Sequence, residues 1–294
     1  MINTKILMQE FEYVEPKTVE EALNALAKYG EGARVVAGGT DLLVQMKMEK
    51  IRPAVLVNIA RIPALRYLIE ERGLRIGPLI TFREMEKFRL IREKYTALYE
   101  AAQSVSSVQI KTMGTLGGNL CHASPAADSA PPLIVFGGKV KIAGKKGERL
   151  ISLEEFFVGP GETALFPSEL LIEIQVPEIS GETGSSFLKM GRVSADLAKV
   201  SVAVVMEKDG DLCTSCRIAL GAVAERPMRA LKAEEMMRGE KFTEGLVRKV
   251  SQKASEEIRP ITDLRSTDWY RKEVSKVLVR DAIHLAWNRA SVGE

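Results

Sequence analysis

The sequence predicts an α+β chain built in two units. In the first, larger unit strands and helices alternate; in the second a run of strands gives way to a run of helices. A length of 294 residues points the same way, because single hydrophobic cores stop growing near this size.

Each element has a local reason. Thr18-Val19-Glu20-Glu21 is a capping box, and Val19, Ala22, Leu23 and Leu26 recur at helical spacing until Gly30 stops the run. Arg34-Val35-Val36-Ala37 is short, apolar and β-branched, as a strand is, and Gly38-Gly39 turns it into a helical stretch at residues 42–50. Leu74-Arg75-Ile76 leads to a second capping box, Thr81-Phe82-Arg83-Glu84, and residues 95–106 have a helical pattern. Two short strands flank the hairpin loop Gly144-Lys145-Lys146-Gly147, and a further strand at 170–176 is closed by Pro177. Residues 178–184, with two glycines and no apolar periodicity, are the expected linker. The first domain is therefore assigned residues 1–178, in subdomains of roughly 1–60 and 61–178, and the second residues 179–294. The second holds strands at 186–190, 199–206 and 216–222, then helices at 230–237, 243–256 and 268–290. The last helix carries an apolar stripe at Val274, Val277, Leu278, Ala282 and Leu285.

Composition narrows function. Apolar residues make up 46% and charged residues 28%, the balance of a globular protein with a full core. A net charge of +3, with no basic stripe, argues against nucleic acid as a partner. No apolar stretch approaches the length of a membrane span, and residues 1–12 lack the order of a signal peptide. Three cysteines cannot pair completely, so a reducing, cytoplasmic setting is expected.

Two glycine motifs stand out. In Ala37-Gly38-Gly39-Thr40-Asp41, adjacent glycines permit positive φ and can turn several N–H groups toward one point, where a phosphate would sit at a helix start. Thr40 adds a hydroxyl, and Asp41 is the expected helix cap. A glycine pair between strand and helix is also, more simply, a turn. The second motif, Gly114-Thr115-Leu116-Gly117-Gly118-Asn119, packs its glycines densely enough for a backbone to approach a ligand closely. Neither motif has G-x-G-x-x-G spacing, which disfavours a nicotinamide-binding Rossmann domain.

These motifs, with Asp128 and Pro131 following, resemble the FAD-binding medium subunit of the xanthine dehydrogenase and carbon monoxide dehydrogenase family, the molybdenum hydroxylases. The resemblance continues through Gly159-Pro160-Gly161-Glu162-Thr163, Glu169-Leu170-Leu171, Phe187-Leu188-Lys189, Asp196-Leu197-Ala198-Lys199-Val200 and the block from Asp263 through Trp269 and Tyr270 to Arg271, so it covers essentially the whole chain. It implies a vanillyl-alcohol-oxidase-type fold, two α/β subdomains clasping an extended FAD with a small α+β domain behind. It further implies that Arg34, Val35, Val36, Ala37, Gly38, Gly39, Thr40 and Asp41 line the pyrophosphate and ribityl chain. Thr115, Leu116, Gly117, Gly118 and Asn119 would contact the phosphates and the flavin side, Asp128 the adenosine, and Leu171 and Lys189 the isoalloxazine. Val105 stands where some relatives carry an aromatic. Flavin oxidases of this fold that anchor FAD covalently do so through a His after the first glycine pair; Thr40 is there instead, so the FAD should be non-covalent.

The function implied is an electron relay. A molybdopterin-containing large subunit oxidises substrate, a small subunit passes electrons through two-iron iron-sulfur clusters, and the flavin here delivers them to NAD or another acceptor. The flavin carries the chemistry, and no catalytic side chain or metal site is assigned. Four-cysteine clusters cannot be held by Cys121, Cys213 and Cys216 alone. Cys213 and Cys216 have redox spacing, but residues three apart in a regular strand point to opposite faces, so they are expected to be ordinary cysteines. His122 has no second His nearby and is expected to be structural or adjacent to the flavin. The competing readings are a self-contained FAD-dependent dehydrogenase or oxidase of the same fold, and a non-catalytic assembly protein that keeps the glycine turns for shape.

Overall fold

The computed structural model describes residue 7, residues 9–179 and residues 182–290. The chain opens on a small parallel sheet in the order Glu12–Val14, Val55–Asn58, Ala33–Val36. Helix Val19–Tyr29 buries Ala22 and Leu26 against this sheet. The Thr18 hydroxyl caps it by accepting from the Glu21 N–H, while the Glu21 carboxylate takes the N–H of Lys17 instead of that of Thr18. The helix expected over 42–50 ends at Lys47.

A five-stranded antiparallel sheet follows, ordered Leu68–Glu70, Gly73–Ile76, Leu170–Pro177, Lys139–Gly144, Gly147–Ser152. Its central strand comes last in sequence: residues 77–138 leave the sheet and carry helices, the hairpin of Lys139–Gly144 and Gly147–Ser152 adds its far edge, and Leu170–Pro177 then inserts in the middle. The Thr81 capping box forms in full and starts helix Phe82–Lys87.

The third sheet is antiparallel: Thr183–Met190, Val200–Asp209, Leu212–Gly221 and Met228–Arg229. Of the expected linker, residues 180 and 181 lie outside the described residues, and the strand has begun by Thr183. Val200, Val202, Val204 and Met206 pack on the C-terminal helices Leu231–Met237, Glu244–Glu257 and Asp268–Arg289. On the opposite face Phe187, Ala203, Val205 and Ala219 join the core of the preceding segment, under helices Thr96–Ser104 and Ala130–Val135. A strand covered on both sides favours apolar residues on both faces, which is why residues 200–206, apart from buried Ser201, are apolar throughout and show no alternation.

Two expectations change. The buried face of helix Asp268–Arg289 runs through Arg271, Ser275, Leu278, Val279, Ala282, Ile283 and Ala286, while Val277 and Leu285 of the expected stripe are exposed. The pattern misled because polar Arg271 and Ser275 are buried, the Arg271 Nη atoms and the Ser275 hydroxyl donating to groups inside the protein. Cys213 and Cys216 both face the core, because the pairing with Val200–Asp209 shifts at Glu207/Lys208 and leaves Thr214 as an extra, bulged residue. The bulge breaks the alternation, and the Cys213 thiol donates to Ser215 O at 3.4 Å. Among the described residues no helix is long and apolar enough to cross a membrane.

Candidate functional site

The two glycine motifs form opposite walls of one cleft of about 530 Å³. All of residues 34–41 line it, as do Thr115, Gly117, Gly118, Asn119 and, from the central strand, Leu171. Contact between the walls requires glycine. A Cβ on Gly38 would lie 1.9 Å from the carbonyl oxygen of Met113, so the first turn rests directly on the chain leading into the second motif. Thr115 in turn bridges to Thr81, hanging the second wall on the capping box of helix Phe82–Lys87.

The walls differ in what their backbones offer. Gly39 has φ of 71°, and among the described residues nothing accepts from the N–H groups of Gly39, Thr40 or Asp41. Those donors are open to a ligand. In the second motif the N–H of Leu116 donates to Ile80 O at 2.8 Å, that of Gly117 to Pro78 O at 2.9 Å and that of Gly118 to the Thr115 hydroxyl at 3.1 Å. The N–H of Asn119 donates to Thr115 O at 3.0 Å, so the expectation that this motif offers backbone amides to phosphates is corrected at these four positions. Its glycines permit close packing: a Cβ on Gly117 would stand 2.4 Å from the Pro78 Cβ.

A cofactor with an anionic pyrophosphate fits this geometry. One wall supplies unengaged amides at a left-handed glycine, and the other supplies the side-chain-free backbone of Gly117 and Gly118 between Thr115 and Asn119. Arg34 adds a guanidinium at the wall, steered by hydrogen bonds to Glu31 O and Ala33 O, both at 2.8 Å. Asp41 occupies the cap position of helix Leu42–Lys47 but makes no side-chain cap; its carboxylate lies 3.7 Å from His122 Nε2.

Three sequence-predicted residues stand back from the cleft. Leu116 is fully buried in the core behind the wall. Asp128 and Lys189 form one buried ion pair, Nζ to Oδ2 at 2.6 Å, with Lys189 also donating to Ser104 O. Adenosine and isoalloxazine are opposite ends of FAD, so a pair in direct contact cannot serve one end each; that assignment is corrected. Burial pushes the Asp128 carboxyl up to about 6 even against the Lys189 ammonium, and its Oδ1 has no partner.

Residues that the motif reading left aside also line the cleft. His122, at the end of helix Leu116–His122, sits between Asp41 and Gln45, whose amide nitrogen is 3.5 Å from Nδ1. Beside it Cys121 is a neutral thiol, pushed up to about 12 by burial. Glu169 reaches the cleft from the opposite side; burial alone would raise it, but hydrogen bonds from Arg149 and the Phe166 N–H hold it below the usual carboxylate range. His122 carried a signal in its place at the end of a glycine-opened helix, and Glu169 in the segment Glu169-Leu170-Leu171 that shares the family resemblance, though neither was assigned to the site. Glu169 is set by pairing across the sheet.

The chain matches two family profiles: the FAD binding domain in molybdopterin dehydrogenase over residues 9–179, and the CO dehydrogenase flavoprotein C-terminal domain over residues 185–286. It is 32% identical to the carbon monoxide dehydrogenase medium chain of Hydrogenophaga pseudoflava, over 96% of this chain and 98% of that one. It is 28% identical to the xanthine dehydrogenase FAD-binding subunit of Escherichia coli O157:H7, over 92% and 94%. Among solved structures it superposes on carbon monoxide dehydrogenase from Hydrogenophaga pseudoflava, in a form lacking the Mo-pyranopterin moiety, with a TM-score of 0.94 at 33% identity, covering 97% of this chain and 99% of that one.

Proposed function

The chain belongs to the xanthine dehydrogenase and carbon monoxide dehydrogenase family as an FAD-binding medium subunit, and on that premise we propose that it relays electrons from a partner's iron-sulfur clusters through FAD to NAD or another acceptor. FAD is its cofactor, and it works as an oxidoreductase subunit of a multi-subunit dehydrogenase. The partners we propose are a molybdopterin-containing large subunit and a small subunit with two-iron clusters. The division of the chain after residue 178 is proposed as one of sequence order, with the core shared across it.

The observation that carries this reading is the cleft with one donor wall and one bare wall. When bound, FAD supplies the redox chemistry, and the protein supplies position and polarity. The amides of Gly39, Thr40 and Asp41 would hold the pyrophosphate, with Arg34 adding charge, while Val105, Leu165 and Leu171 line the cleft with apolar surface and exclude water. With Thr40 after the glycine pair, the cofactor is held without a covalent bond.

Purified protein should be yellow and release FAD on acid or heat treatment. Stopped-flow absorbance should show slow flavin reduction by organic substrates in the isolated chain and fast reduction once the two partner subunits are added. One observation favours the second reading, a self-contained dehydrogenase: His122 and Asp41 place a titratable pair in the cleft. Fast reduction of the isolated chain by an organic substrate, abolished in His122→Gln, would establish it.

A further inference from the structure

Arg271 touches neither glycine motif, yet it lies at the start of a chain of contacts that ends at one of them. It is 3% exposed. Its Nη1 donates to the carbonyls of Lys199 and Ala222, each at 2.7 Å, and its Nη2 to Asp263 at 2.7 Å. Ala222 holds a φ of 62°, a conformation a non-glycine residue keeps only where its surroundings impose it. From that conformation its N–H donates to Pro125 O at 2.7 Å. Gly221 lies against the same loop; a Cβ there would come within 3.1 Å of Pro131 and 3.4 Å of Pro125 O.

The loop so gripped, residues 123–129, is fastened at three points, two of which reach residues that line the cleft. The carbonyl of Ala123 accepts from Gly161 N at 3.0 Å, and Gly161 lines the cleft. Asp128 pairs with Lys189. The Ser129 hydroxyl donates to Asn119 Oδ1 at 2.6 Å and so orients a side chain of the second wall.

We infer that Arg271 is a positioning residue for the FAD site: it locks the Gly221-Ala222 corner of the C-terminal sheet, and the corner holds the 123–129 loop that orients Asn119. The chemistry of the side chain supports this. An apolar residue would fill the same buried space without an unpartnered Nε and a charge to neutralise. A planar guanidinium is needed where two carbonyls and a carboxylate must be kept in fixed mutual directions. The inference rests on the FAD reading of the cleft.

The test uses the full chain, with FAD affinity from fluorescence quenching, the flavin midpoint potential and the visible spectrum as readouts, and thermal unfolding alongside. Wild type is measured first: if it binds no FAD, the reading of the cleft fails, and this inference with it. With wild type binding, Arg271→Met should weaken FAD at least tenfold and shift both spectrum and potential, and Arg271→Lys, which keeps the charge but not the planar fork, should recover only a minor part of the loss. A folded Arg271→Met with wild-type affinity, spectrum and potential, whatever its melting temperature, would make Arg271 merely structural and overturn the inference alone. If Arg271→Met does not fold, Asp263→Ala and Asp263→Asn decide. The alanine should weaken FAD at least threefold and the asparagine, which still accepts from Nη2, should restore it. Equal affinity in both overturns the inference.

Discussion

Gly39 and Gly117 face one cleft from opposite walls, and a methyl group placed on each would meet different things. On Gly39 it would strain a left-handed backbone and come within 3.0 Å of the flexible end of Leu43. On Gly117 it would strike Pro78, 2.4 Å from Cβ and 2.8 Å from the carbonyl oxygen, neither of which can swing aside. The amides repeat the contrast, open around Gly39 and already spoken for at Gly117. A glycine pair in a sequence thus marks two physical situations that look alike: a backbone shaped to bind, and a backbone shaped to be packed against. The first wall is a binding surface, and the second is a scaffold that sets its distance.

The largest effect that sharpens this contrast is expected from Gly117→Val. Forcing branched carbon into Pro78 should cost about 3 kcal/mol or more of stability, seen as a lower unfolding midpoint that saturating FAD does not restore. Gly39→Val should leave the apoprotein close to parental stability relative to that, yet weaken FAD by about a hundredfold, roughly 2.7 kcal/mol, as the open donors are turned away. Excess FAD should recover the bound form by mass action. If instead the Gly39 variant unfolds and the Gly117 variant merely binds weakly, the assignment of the walls is reversed.

A smaller effect belongs to Asp128, in the loop that supports the second wall. Its folded-state carboxyl near 6 lies above the ordinary 3.8, so its protonated form favours the fold. That contribution is complete below the ordinary value and is lost as pH rises through 6. Asp128→Asn cannot titrate, so between pH 4 and 7 it should lose less stability than the parent, by an amount on the order of 1 kcal/mol. Parallel pH curves of unfolding midpoint for the two proteins would show that Asp128 does not carry this pH dependence.

How much of this was legible depended on the range over which each feature is determined. The first wall was legible because Arg34 through Asp41 are contiguous, and β-branched residues, glycines and a helix start follow one another within a few positions. The Thr81 capping box and the 144–147 hairpin were legible for the same reason. What escaped is set by contacts distant in sequence. Nothing near Gly117 announces that Pro78 O takes its amide, and nothing near Asp128 announces Lys189. The single bulged residue Thr214 reversed the facing of Cys213 and Cys216, since spacing predicts a face only while the ladder is regular. In the last helix, buried Arg271 and Ser275 interrupt the apolar pattern that a periodicity argument follows.

The C-terminal sheet, covered on both faces, bears on how the chain comes off the ribosome. Helices Thr96–Ser104 and Ala130–Val135 are synthesised well before the strands that close over them, and Ser185 and Phe187 must arrive before the amide of Ala97 and the carboxylate of Glu100 find their partners. Translation stopped at residue 179 would deliver both glycine walls with the apolar back of their core bare to water, a surface that recruits holdases or aggregates. The C-terminal sheet thus covers, from Phe187, Ala203, Val205 and Ala219, apolar surface that the preceding segment cannot cover by itself.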